Sequence, residues 1–275
     1  MQFPFFIEWE VGRVFLFMMD NYEYFKSEVY KLTKIDLNCY KEKQMRRRIE
    51  TLATKNKATS YEQYVSMLKE DATLFEQFVN FLTINVSEFY RNPDQWKLLD
   101  EKVIPDLIAR SNGEIKIWSA ACSTGDEPYS LAMAFSKHLP LNKIHILATD
   151  IDKQVLQRAK DGLYNEKSIS AVPADLKLKY FTKIGQSYRV SDELKQCITF
   201  QQHNLLRDPY PENYDLILCR NVVIYFTDEA KFEIYRKFYK TLKPSGVLFI
   251  GSTEQITNYR EIGFNRLSSF YFQKE

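Results

Sequence analysis

The apolar run IKIWSA at 115–120 leads into Ala121-Cys122-Ser123-Thr124-Gly125, and Asp126-Glu127-Pro128 then opens a helical pattern with Leu131, Ala132, Phe135 and Leu139 on its inner side. Small side chains in the turn let a ligand approach the backbone closely, and Pro128 suits a first helical turn, where a missing N–H costs nothing. A pyrophosphate would call for G-x-G-x-x-G and a helix N-terminus free of anions. Here Gly125 is the one glycine, and two carboxylates stand where the phosphates would sit. That disfavours NAD, FAD and nucleoside triphosphates, whereas a cationic, phosphate-free nucleoside such as S-adenosylmethionine suits the carboxylates. The next run, IHILATD, ends in Asp150, which can accept hydrogen bonds from ribose hydroxyls. The chemistry indicated is methyl transfer. The competing reading is that Asp126 and Glu127 merely complement the helix dipole and Asp150 caps the following helix.

The elements that must position these groups follow from periodicity. Apolar residues recur at helical spacing through Tyr22, Phe25, Val29 and Leu32; Met45, Ile49 and Leu52; Tyr61, Tyr64, Val65 and Leu68; and Leu74, Phe78, Phe81 and Leu82, which predicts four short helices. Ser60 and Gln63 form a capping box ahead of the third. From Ile115 the pattern changes to near-continuous apolar runs, IKIWSA, IHILATD, ITFQQHN, YDLILCRN and, after a Lys243-Pro244-Ser245-Gly246 turn, VLFIGS. Such runs alternating with helices predict a buried, mostly parallel sheet. FNRLSS and FYFQK leave little room for a crossover helix, so the closing strand should be antiparallel. KYFTK-IGQS-YRV reads as a hairpin about Gly185 inside an insertion at about 162–196. The expected organisation is a helical domain at 19–90, a linker at 91–113 and an α/β domain at 114–275.

Residues 1–18 contain Glu8, Glu10 and Arg13, which break every apolar run short of a membrane span, and no signal-peptide pattern is present. They read as a non-native or disordered extension, with an amphipathic docking helix as the alternative. The 275 residues are 45% hydrophobic and 27% charged, and 38 Lys and Arg against 36 Asp and Glu leave +2, so composition demands neither nucleic acid nor membrane. Four scattered cysteines without a C-x-x-C indicate no metal site and no disulfide framework.

WSAACSTGDEPYSLA, LATDID, HNLL, YDLILCRNVVIYF and, upstream, LTINVSEFYRNPDQW closely resemble the CheR family of chemotaxis receptor methyltransferases, over about residues 20–275. The resemblance implies a small all-α domain followed by a class I S-adenosylmethionine-dependent methyltransferase domain, Rossmann-like with an inserted β-subdomain. It also implies methyl esterification of glutamate side chains on the cytoplasmic helices of methyl-accepting chemotaxis receptors, with S-adenosylhomocysteine as product. The family's cofactor contacts fall on Asn85, Ser87, Arg91, Glu127, Asp150, Asn204, Leu205, Asn221 and Val222. Ser87 stands where members often carry Thr, and Asp126 where many carry Glu; both keep the functional group. A cytoplasmic protein, recruited to receptor arrays, is the implied setting.

A glutamate carboxyl with an ordinary pKa of about 4.3 is ionised at neutral pH, so esterification needs no general base. Alignment of oxygen with the sulfonium methyl is the main task, one for which positioning can supply roughly 7 to 11 kcal/mol. Arg91 can grip the anionic substrate, and Tyr225 can orient an oxygen or line the methyl channel; the resemblance puts both beside the methyl donor, as catalytic residues. Their bland alternatives are a structural salt bridge and a half-buried core aromatic. Around Asn221 the segment RNVVIY lacks the N-P-P-Y-type pattern of amine methyltransferases, which argues against nucleobase N-methylation. Helical geometry places Lys43, Arg46 and Arg47 opposite the Met45, Ile49 and Leu52 stripe, an outward basic face suited to docking an acidic receptor helix. The hairpin turn looks shorter than in members that capture a receptor's C-terminal pentapeptide, so no such tether is expected. The alternatives are a non-catalytic S-adenosylmethionine-binding module, or a methyltransferase acting on RNA or a small molecule.

Overall fold

The computed structural model describes residues 21–275, so the expectation for 1–18 lies outside the described residues. The chain divides into two units, one running up to Ile84 and including Tyr225–Thr227, the other comprising Asn85–Ile224 and Asp228–Glu275.

The four expected helices of the first unit are α1 (Tyr22–Thr33), α2 (Glu42–Lys55), α3 (Tyr61–Glu70) and α4 (Ala72–Thr83), with a 3-10 turn at Leu37–Cys39. Each start has a local cause. The Asn21 side chain accepts from Tyr24 N–H at 3.2 Å, the Ser60 hydroxyl from Gln63 N–H at 3.2 Å, and the Asp71 carboxylate from Thr73 N–H at 2.8 Å. The Gln63 side chain reaches back one residue further than a capping box requires, accepting from Thr59 N–H at 2.6 Å. The apolar stripes meet in an aromatic core in which Phe25 lies 4.7 Å from Tyr61 and Phe78 stands edge-on to Tyr64 at 5.7 Å, centroid to centroid. Tyr225–Thr227 is stapled to this unit by hydrogen bonds from Lys41 N–H to the Tyr225 carbonyl and from Thr227 N–H to the Cys39 carbonyl, both 2.9 Å.

The second unit begins earlier than expected, and its opening segment is not a linker. Residues 91–113 form α5 (Pro93–Leu98), a π-helical turn (Leu99–Val103) and α6 (Ile104–Arg110). Trp96, Leu99, Val103, Ile104 and Leu107 recur at helical spacing and are all buried in the core under the sheet, which is why this stretch cannot be a solvated connection.

The remaining elements alternate as β1 (Ile115–Ala120), α7 (Asp126–Phe135), β2 (Ile144–Asp150), α8 (Lys153–Asp161), β3 (Leu163–Asn165), α9 (Ala174–Tyr180), β4 (Phe181–Ile184), β5 (Ser187–Val190), α10 (Asp192–Lys195), β6 (Ile198–Gln202), β7 (Tyr214–Cys219), α11 (Asp228–Thr241), β8 (Leu242–Ile250), α12 (Tyr259–Ile262), β9 (Phe264–Arg266) and β10 (Tyr271–Lys274). Seven strands form one sheet in the order β6-β2-β1-β7-β8-β10-β9. The pairs β6–β2, β2–β1, β1–β7 and β7–β8 are parallel, and β10 runs antiparallel to both its neighbours. The turn expected at 243–246 is a bulge inside β8: Leu242 pairs with Tyr214 and Val247 with Leu216, and Ser245 takes φ 60°. The strand order reverses between β1 and β7, so the loops at their carboxyl ends open a crevice there.

The expected insertion contains a separate three-stranded sheet, β3-β5-β4, whose hairpin turns at Gly185 with φ 60°. It is joined to the main body through Tyr164 on β3, whose hydroxyl donates to the Thr124 carbonyl at 2.6 Å and whose ring meets Phe89 edge-on at 4.8 Å.

Candidate functional site

Where β1 ends, three residues of the turn take left-handed backbone angles: Ala121 at φ 69°, Ser123 at 48° and Gly125 at 92°. For the two non-glycines this is a strained conformation, which persists only where the surroundings hold it. Asp150, at the end of β2, does the holding: its carboxylate accepts from Ser123 N–H at 2.9 Å and from Asp152 N–H at 3.0 Å. Asp150 therefore does not cap α8; Asp152 does, accepting from Gln154 N–H at 2.8 Å. Burial of Asp150, 6% exposed, pushes its pKa up to about 6, and the backbone donors only partly oppose that. At Gly125 a side chain would have no room, because its Cβ would meet the Ala159 Cβ of α8 at 2.9 Å.

Asp126 and Glu127 are not simple dipole partners. Asp126 is 3% exposed and accepts from the Thr124 hydroxyl at 2.6 Å; burial raises its pKa, with the Ser87 side chain among the hydrogen-bond donors that oppose the rise. Glu127 accepts from the Ser119 hydroxyl at 2.8 Å and faces Arg220 at 3.4 Å. Burial raises its pKa too, against the pull first of Arg220 and further down of Arg91.

Arg220 is a residue the sequence reading passed over. Its guanidinium lies 4.6 Å over the Phe249 ring and donates to the Arg91 carbonyl at 2.7 Å, Gln95 Oε1 at 2.8 Å and Asn92 Oδ1 at 3.2 Å. It thereby ties Glu127 to the turn around Arg91, where Tyr90 and Asn92 take φ 50° and 63°. Glu254 was missed as well. It is 3% exposed and accepts from Val222 N–H at 3.0 Å, Val223 N–H at 3.1 Å and Gly251 N–H at 2.5 Å, fixing the backbone beyond Asn221, itself at φ 60°. Burial raises the Glu254 pKa despite these donors. The only hint of either residue in the sequence was position, directly before Asn221 and three residues after Gly251.

Among the expected residues of the second unit, Asn85 and Asp150 meet at Asp152, while Arg91 and Glu127 both meet Arg220. Asn85 Nδ2 donates to Asp152 Oδ2 at 2.8 Å, and Arg91 Nη1 donates to the Val86 carbonyl at 3.2 Å. His203 N–H donates to the Asp150 carbonyl at 2.9 Å, which sets the start of the Asn204-Leu205 turn; there Asn204 Oδ1 accepts from Leu206 N–H at 3.0 Å and Leu205 is buried. Tyr225 is held by its backbone in the first unit. Of the expected docking cations, Lys43 and Arg47 are exposed, but Arg46 is not a free outward charge. Its Nε donates to Glu50 at 2.8 Å and its guanidinium lies 5.3 Å over Tyr22, because i,i+4 spacing and a neighbouring ring give it better partners than water.

Among the described residues, Ser123 Oγ, Asn221 Oδ1 and Arg220 Nε at this crevice are buried and have no hydrogen-bond partner within the protein. Such groups call for a polar ligand, and the carboxylates around them suit a cationic nucleoside. Among the described residues, no group of three or more His, Cys, Asp and Glu could hold a metal ion. The sheet order with its antiparallel β10, and this crevice beyond β1 and β2, define a class I S-adenosylmethionine-dependent methyltransferase. The chain matches the model of the CheR methyltransferase SAM binding domain over residues 85–269 and that of the CheR methyltransferase all-alpha domain over 20–83. It is 41% identical to the chemotaxis protein methyltransferase of Listeria innocua over 254 residues, 92% of this chain and 97% of the relative. It is 31% identical to that of Borreliella burgdorferi over 86% of this chain and 88% of the relative, and 34% identical to that of Escherichia coli over 73% and 72%. The chain belongs to the CheR methyltransferase family.

Proposed function

We propose that this enzyme esterifies glutamate side chains on the cytoplasmic helices of chemotaxis receptors, with S-adenosylmethionine as methyl donor. The observation that carries the substrate reading is Arg91. Its side chain is half-buried, its Nη1 is anchored on the Val86 carbonyl, and its charge acts on Glu127 inside the cofactor crevice. A guanidinium fixed there is a receptor for an anionic side chain.

The bound cofactor supplies an electrophilic methyl group. The protein's part is to hold and to align. Asp150 and Glu127 receive the nucleoside's hydroxyls, Ser123 and Asn221 offer their unpartnered oxygens, and Asn85, Ser87, Asn204, Leu205 and Val222 complete the wall. Arg91 would grip the substrate carboxylate, and the family resemblance gives Tyr225 the aligning role; no proton needs to be removed, so side-chain basicity is not the limiting property.

Recognition of the receptor is direct in this reading. Lys43 and Arg47 on α2 attract an acidic helix, and the short hairpin at Gly185 supports docking without a C-terminal peptide tether. No helix among the described residues is long and apolar enough to cross a membrane. The proposed substrate, a receptor's cytoplasmic helices, puts the enzyme in the cytoplasm beside receptor arrays. Incubation with methyl-labelled cofactor and receptor cytoplasmic fragments tests the function: label should enter the fragment and be released by mild base. Base-stable label would show a different acceptor.

A further inference from the structure

A cavity of about 510 Å³ is lined in part by Glu254, whose carboxylate also holds the backbone of Val222 and Val223. Ile256 and Phe272, 5% and 2% exposed, and half-buried Phe270 and Tyr259 make its apolar wall, and serine, threonine and glutamine side chains its rim. Glu254 is the one carboxylate of the lining, and its oxygens are engaged by three backbone N–H groups. Arg266 is the one cation of the lining. It stands directly across from Phe272 in the β9–β10 ladder, so both side chains rise from the same face of the sheet. Its Nε donates to the Ser268 carbonyl at 3.0 Å, which sets the direction of the guanidinium. Among the described residues Arg266 has no acidic partner in an ion pair.

We propose that this cavity is a second contact for the substrate helix, in which Arg266 receives an acidic side chain flanking the glutamate that is methylated. The inference rests on the substrate reading above and deepens it. A guanidinium held by its own Nε at the edge of a cavity with aromatic lining can take a carboxylate, while the methylene stem of the same side chain lies along the apolar lining. The cavity is of the size that takes a side chain and its neighbours rather than a whole helix. Glu254 joins its wall to the backbone of Val222, so a residue seated here lies beside the cofactor crevice. Arg266 then acts as a specificity determinant, selecting acceptor glutamates with acidic neighbours.

The test is steady-state methylation of a receptor cytoplasmic fragment by the wild-type enzyme and by Arg266→Ala and Arg266→Glu. The variants should raise KM for the fragment about tenfold and more than tenfold, with kcat, melting temperature and calorimetric cofactor affinity unchanged. Replacing acidic residues flanking the acceptor glutamate by glutamine should raise the wild-type KM similarly, yet add nothing in Arg266→Ala, since contacting groups couple. Unchanged KM in Arg266→Glu, or additive effects of enzyme and fragment changes, would overturn the assignment of Arg266. A wild-type enzyme that forms no base-labile ester on any receptor fragment would instead overturn the substrate reading, and this inference with it.

Discussion

The helical unit and the crevice of the α/β unit treat their carboxylates in opposite ways. In the helical unit, carboxylates are met by lysines and arginines: Glu28, only 8% exposed, bridges Lys31 at 2.6 Å and Lys69 at 2.7 Å, and its pKa is held below the ordinary range by those partners. In the α/β unit, Asp126, Glu127, Asp150 and Glu254 are desolvated at the ends of strands and in the turns that follow, and burial raises every one of them. The first arrangement gives each carboxylate a cation of its own. The second stores unfavourable desolvation at one crevice, where a cationic ligand relieves it.

The sharpest way to break this contrast is at Arg220. Replacing it with Met leaves Glu127 buried without its cation and strips donors from Gln95 and the Arg91 carbonyl, so denaturant unfolding should show a loss of about 3 to 5 kcal/mol. A loss under about 1 kcal/mol would put this pair in the same class as the surface pairs of the helical unit.

Next in size is Asp150. Asp150→Ala should weaken cofactor binding by about 1.5 to 3 kcal/mol through lost charge-assisted hydrogen bonds, read by calorimetry. The same carboxyl sets a pH dependence. Because its folded pKa lies near 6 against an ordinary 3.8, the native protein holds a proton there that the unfolded chain has lost. Its contribution to stability of the ligand-free enzyme is full below pH 3.8 and falls as pH rises towards 6. Cofactor affinity should move the other way, rising through pH 6 as the carboxylate forms, and Asp150→Asn should flatten that rise.

Tyr225→Phe should leave cofactor affinity unchanged and lower kcat for receptor fragments. Equal losses of binding in Tyr225→Phe and Asp150→Ala would remove the distinction between an aligning and a binding residue. The smallest effect belongs to the helical surface. Lys43→Glu with Arg47→Glu should raise receptor KM several-fold and weaken its salt dependence, while the melting temperature stays put. If adding Arg46→Glu lowers the melting temperature, that would confirm that Arg46 serves the bundle through Glu50 and Tyr22.

Much of this was readable before any coordinates. The runs IKIWSA, IHILATD, YDLILC and VLFI lie in strands because buried parallel strands need continuous apolar sequence, ITFQQ forms the edge strand beside them, and the antiparallel closing strand follows from the short connection before it; β8, however, starts five residues before VLFI and absorbs the expected turn as a bulge. The turn at 121–125 was legible because small residues and one glycine have few other uses. What escaped was non-local. Arg220 finds Glu127 and Gln95 across 93 and 125 residues, and no local spacing encodes such a meeting. Glu254 reaches the Asn221 turn only after β7 and β8 pair in parallel. The 91–113 stretch was misread because its position between two motifs outweighed the helical spacing of Trp96, Leu99 and Val103. The stacking of Arg46 on Tyr22 depends on how α1 meets α2, which no spacing within α2 encodes.

The inserted sheet bears on how freely this architecture can be remodelled. Its hairpin tip at Gly185, where an added Cβ would meet nothing within 4 Å, is open to grafting and lengthening. Its first strand is not, since Tyr164 there hangs the Thr124 carbonyl from its hydroxyl and packs on Phe89. A lineage can therefore exchange the outer end of the module for new attachments, whereas excising it whole would slacken the turn between β1 and α7. The insertion is a graft whose root has become part of the trunk.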